Sequence, residues 1–164
     1  MDMLEHRCGA KPTKSAMDLR AGEDTMVIEH LTGGCQCGGL RYEVSEPVLG
    51  LYACHCAECR RQSGSAHGLT LTVPRAALRF RCGTPRTWSR STDSGSKLDC
   101  LFCGDCGTRV VHLRDAAPAT AGIKAGTLDE PVDLAQAIHI WTSRALPGAL
   151  IPVDRPSYPE EPPD

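Results

Sequence analysis

Aromatic residues are scarce in this chain, at 4% of 164 positions. A modest core built with so few large side chains needs help from other staples. Strong charge of either sign is also missing, the formal net charge being −2. A strongly electrostatic partner such as nucleic acid is therefore not implied. No apolar run approaches the roughly 20 residues of a membrane helix. The first residues lack the basic-then-apolar pattern of a secretory signal. From these absences the expected compartment is reducing cytosol. There, its ten cysteines are expected as metal ligands or reactive thiols rather than as disulfides.

Those cysteines organise the reading. Cys54-His55-Cys56-Ala57-Glu58-Cys59 puts three thiols and an imidazole into six residues. Cys56-x-x-Cys59 is zinc-knuckle spacing, and thiolate sulfur suits tetrahedral zinc at about 2.3 Å. In an extended strand, Cys54 points to the same side as Cys56, while His55 points away. Two further pairs, Cys35/Cys37 and Cys103/Cys106, sit in glycine-containing turns. Seven sulfurs suggest one closed four-sulfur site from the two pairs and one open three-sulfur site. Spacing alone leaves a swap of Cys54 into another cluster open. Closed sites are usually structural, and three protein ligands with a free vertex are the usual catalytic arrangement. The competing reading has both sites structural, with His55 or His67 filling the last vertex. Cys82 and Cys100 fall on apolar strand faces and are expected as buried thiols; Cys8 is read as a bystander.

Residues 1–29 read as a flexible extension, 30–148 as the folded domain, and 149–164 as a proline-rich tail packed on it or trailing from it. Apolar alternation at Leu40/Tyr42/Val44, Leu78/Phe80/Cys82 and Leu98/Cys100/Phe102 predicts strands. Further strands are expected at 48–53, 66–73, 87–91, 108–113, 121–126 and 137–141. Arg60 to Gln62 reads as a single helical turn. Short strands with turns every eight to twelve residues indicate a mainly β, sandwich or barrel-like single domain.

Taken in order, Gly33 to Gly38, Cys54 to Arg60, Ser63 to Ala66 and Cys103 to Gly107 resemble the glutathione-dependent formaldehyde-activating enzyme (GFA) family, which includes centromere protein V. His139 to Pro147 resembles the family's ending, and the likeness spans roughly residues 30 to 160. One departure is Gly148, where family members often carry tryptophan. The resemblance implies a zinc-ribbon-like β-tent of small antiparallel sheets. It implies a structural zinc on Cys35, Cys37, Cys103 and Cys106 and a catalytic zinc on Cys54, Cys56 and Cys59. The implied activity is that of a carbon–sulfur lyase joining glutathione and formaldehyde into S-hydroxymethylglutathione, or a related thiol–aldehyde reaction. Because three thiolates weaken a metal's Lewis acidity, delivery of a substrate thiol is favoured over polarisation of the carbonyl. Arg60 and Arg61 are candidate partners for the substrate's carboxylates, and equally a solvated positive turn. Ser63 is a candidate donor to substrate that also suits a turn. The rival class is a non-catalytic, zinc-stabilised protein-interaction module.

Overall fold

The computed structural model describes residues 30–45 and 47–163. The expectations for residues 1–29, Cys8 among them, lie outside the described residues. Within these bounds the chain forms β1 (Leu31–Gly34), β2 (Arg41–Val44), β3 (Gly50–Cys54), α1 (Ala57–Ser63), β4 (Gly68–Pro74) and β5 (Leu78–Cys82). It continues with β6 (Arg86–Ser91), β7 (Lys97–Phe102), β8 (Arg109–Arg114), β9 (Thr120–Lys124) and β10 (Ile138–Ile140). Among the described residues the architecture is mainly β, with two sheets and a single α-helix in one small domain. A three-stranded sheet runs β1-β2-β5, and a seven-stranded sheet runs β10-β3-β4-β9-β8-β7-β6. Every pairing is antiparallel except that of β10 with β3. The larger sheet thus departs from purely antiparallel: the chain returns from β9 to lay β10 alongside the cysteine-bearing strand.

Alternation explains why these segments pair as they do. In β4, Leu71 and Val73 are buried, while Thr70 and Thr72 between them line a cavity on the other face. Strand side chains alternate faces, so one strand serves both the core and the cavity. The core gathers Leu31, Val44, Leu71, Val73, Val111 and Ile123 with Tyr42. The Tyr42 ring is enclosed, and its hydroxyl meets Thr127 Oγ1 at 2.7 Å. Burial raises its phenol above the ordinary range despite that bond.

The sequence reading takes residues 32–39 as a ligand-bearing turn, but the stretch opens with β1. Glycine pairs disfavour strands. Here they are required by close approach. A Cβ on Gly33 would fall 2.3 Å from the Tyr42 hydroxyl and 2.6 Å from the Thr127 carbonyl oxygen. The helical turn expected at 60–62 is longer, running Ala57–Ser63 with Gly64 as its C-cap. Gly64 holds the left-handed conformation (φ 61°), and its N–H donates to the Arg60 carbonyl. Cys100 is enclosed as expected. Cys82 is not: at the end of the edge strand β5, where the sheet covers one side only, it is half-buried, and it is disulfide-bonded, which corrects the expectation of thiols and metal ligands rather than disulfides at this position.

Candidate functional site

The four-sulfur cluster joins two distant turns. Cys35 and Cys37 follow β1, and Cys103 and Cys106 sit between β7 and β8. Their sulfurs all lie within 4.8 Å of one another. Cys35 and Cys37 are 3.4 Å apart, and Cys37 and Cys103 3.7 Å. Tetrahedral thiolate coordination with bonds of about 2.3 Å needs sulfur–sulfur edges of about 3.8 Å, so the donors fit a metal ion. Leu40 N–H donates to Cys35 Sγ at 3.2 Å. The Gly39 N–H favours ionised Cys37, but the sulfurs of Cys35 and Cys106 oppose it and leave its thiol at about 12. Burial would raise Cys106, yet the Thr108 hydroxyl and N–H bring it down to about 6. Four sulfurs this close do not all ionise without a cation among them.

The three-sulfur cluster is assembled by the junction of β3 and α1. Cys54 ends the strand, Cys56 caps the helix, and Cys59 lies in its first turn. Cys56 Sγ accepts the Cys59 N–H at 3.4 Å, the job of an N-cap side chain. The three sulfurs fall within 4.8 Å, and among the described residues no fourth cysteine, histidine or carboxylate joins them. Hydrogen bonds to Cys56 and Cys59 push the Cys54 thiol up. Those from Cys54 and Cys59 pull Cys56 down to about 2.

Two features near this cluster were not expected from sequence. Lys124 is buried at 6% exposure, its Nζ donating to Thr70 Oγ1 at 3.0 Å. Burial lowers the ammonium's pKa, while the Cys59 and Cys54 sulfurs oppose that shift. A lysine closing an apolar strand was the available signal. His55, fully enclosed, meets His139 Nδ1 through Nε2 at 2.9 Å. Its ring centroid is 5.3 Å from that of His67. Both histidines weighed as a fourth ligand thus belong to a separate imidazole cluster, not to the sulfur group.

Cys54, Cys56 and Cys59 line a cavity of about 680 Å³; the four-sulfur cluster does not. Tyr52, Thr70, Thr72, His112 and Gly122 form its sheet-side floor, and Trp141 stands in its wall. Arg60, Arg61 and Ser63 are absent from the lining. Arg61 pairs with Glu58, Arg60 Nε is buried without a partner, and Ser63 Oγ bonds the carbonyls of Arg60 and His67. The arginines that do line the cavity are Arg90, Arg114 and Arg144. They are far apart in sequence, and only strand register brings Arg90 and Arg114 to either side of Leu98.

Residues 30–144 match the model of the glutathione-dependent formaldehyde-activating enzyme family. The chain belongs to that family. A crystal structure of a Rhodobacter sphaeroides protein is similar in fold, with a TM-score of 0.52 at 20% identity, covering 77% of this chain and 98% of that one. In this GFA-family chain the matched span holds both cysteine clusters, each able to hold a metal ion. It stops before the tail residues that complete the cavity wall. The family points to glutathione and formaldehyde in general. Among the described residues, no helix is long and apolar enough to cross a membrane.

Proposed function

We propose that this protein is a zinc-dependent carbon–sulfur lyase of the cytoplasm, joining a small thiol such as glutathione to a small aldehyde such as formaldehyde. One zinc on Cys35, Cys37, Cys103 and Cys106 would be structural; a second, on Cys54, Cys56 and Cys59, would be catalytic. The observation that carries this reading is the asymmetry of the clusters: the three sulfurs without a fourth protein ligand among the described residues line the 680 Å³ cavity, and the four sulfurs stand outside its lining.

Zinc bound at the three cysteines supplies a position where a thiol is held as thiolate. The chain supplies the rest. Cys54, Cys56 and Cys59 hold that position at the cavity wall. The buried ammonium of Lys124 offsets thiolate charge that would otherwise accumulate in a low-dielectric setting. The cavity confines both reactants, which raises their effective concentration. In the forward reaction the substrate's sulfur forms a bond to the aldehyde carbon, the carbonyl π bond breaks, and its oxygen takes up the proton released by the thiol. The product is an S-hydroxymethyl thioether, and no redox change occurs.

The test is exchange NMR of formaldehyde with a panel of thiols, with and without the zinc-loaded protein. Acceleration for at least one thiol is the expected result. Cys56→Ser should abolish the acceleration while preserving the circular dichroism spectrum. No acceleration with any thiol, or a Cys56→Ser variant that unfolds as Cys103→Ser does, would favour an interaction module in its place.

A further inference from the structure

Part of the cavity wall comes from residues beyond the family match. The segment 156–160 is strapped to residues 139–143 by backbone bonds. His139 N–H donates to the Pro156 carbonyl at 3.1 Å, Tyr158 N–H to that of His139 at 2.8 Å, and Trp141 N–H to that of Glu160 at 3.1 Å. Ser157 bridges His139 in parallel, continuing the sheet beyond β10. This places Glu160, Glu161 and Pro162 in the cavity lining.

Glu161 then meets two other lining residues. Its Oε1 accepts from Trp141 Nε1 at 3.3 Å and from Arg114 Nη2 at 3.5 Å. A second cavity arginine, Arg144, donates to Asp93 at 2.7 Å and stacks 4.6 Å over the Trp141 ring. The third, Arg90, donates to the Ser91 carbonyl at 3.0 Å and faces no carboxylate in any ion pair among the described residues. Two of three guanidiniums in the cavity therefore already hold carboxylates of the chain itself.

We propose that Glu161 is a specificity-determining residue: it occupies Arg114 and so weights the cavity against a second carboxylate on the incoming thiol, leaving Arg90 for the first. This rests on the reading of the cavity as the thiol site. The Arg114 and Glu161 side chains are 44% and 47% exposed, so solvent screens the pair and the selectivity it sets is severalfold rather than absolute.

The probes are S-methylglutathione, which carries both carboxylates but no free thiol, and its diethyl ester, titrated calorimetrically into the zinc-loaded full chain. Glu161→Gln keeps an acceptor for the Trp141 indole and releases Arg114. It should bind the diacid about three- to tenfold more tightly, leave the ester unchanged, and lose the difference at high salt. Arg114→Gln should weaken the diacid alone. Equal shifts for diacid and ester, no shift, or no binding of either probe would overturn the proposal. Because binding is read without turnover, failure of the lyase reading shows separately, as absent formaldehyde exchange in a protein whose Glu161→Gln variant still shifts.

Discussion

Cys56 shows how one side chain serves two demands. As the cap of α1 it takes an N–H from Cys59; as a member of the three-sulfur cluster its thiol is pulled down by hydrogen bonds from Cys54 and Cys59. An N-terminal helix position favours thiolate in both roles. His112 illustrates the opposite pressure. It is pushed down to about 2, first by burial and then by the charges of Lys124 and Arg109. Arg109 lies 3.2 Å from its Nε2, so the imidazole is neutral and accepts. Below about pH 6.5 the unfolded chain binds a proton that the folded one refuses. The stability His112 supports is therefore full above that pH and falls as pH drops toward 2. The slope reaches at most about 1.4 kcal/mol per pH unit. Urea midpoints between pH 7 and pH 5 should fall in the wild type, and fall less in His112→Gln.

Among the elements, the strands with clean alternation were legible, because one face meets the core and the other meets solvent or cavity. Tyr42 and Val44 in β2, and Leu98 and Cys100 in β7, are buried at the positions that period 2 assigns. β1 was not legible. Its glycines signal a turn, and the reason for them is close approach from elsewhere in the fold: the Tyr42 ring at Gly33, the Leu40 carbonyl and Arg41 side chain at Gly34. Adding one carbon there is a direct test. Gly33→Ala should destabilise the fold by about 1–3 kcal/mol, the usual range for overpacking, as read from denaturant unfolding. The cysteines announced themselves by spacing. The tail's place in the cavity did not, because a proline-rich acidic stretch reads as solvated until its backbone bonds to residues 139–143 are seen. Arg60 and Arg61 were attractive for their nearness in sequence, but α1 turns Arg61 outward to Glu58.

At the scale of the whole molecule, the four-sulfur cluster is the link between sheets. Cys35 and Cys37 follow a strand of the smaller sheet, and Cys103 and Cys106 join two strands of the larger one, 66 residues further on between Cys37 and Cys103. A metal ion there closes a long loop, so its binding free energy becomes folding free energy. Cys103→Ser, or prolonged chelation, should remove the cooperative thermal transition, observed by circular dichroism. Cys56→Ser should keep that transition.

The separation of the two sulfur sets also predicts how the molecule ages under oxidative stress. Cys37 and Cys106 of the four-sulfur set are half-buried like Cys56, but it is Cys54, Cys56 and Cys59 that line the 680 Å³ cavity, an opening large enough for peroxide. Low thiol pKa and access together make a sulfur the first to oxidise, and a neighbouring thiol can trap the sulfenic acid as a disulfide. Brief peroxide treatment should therefore mark Cys54, Cys56 or Cys59 in peptide mass spectra while the fold persists. A dithiol reductant should reverse the mark, so that oxidation silences the cavity while the link between the sheets stays intact.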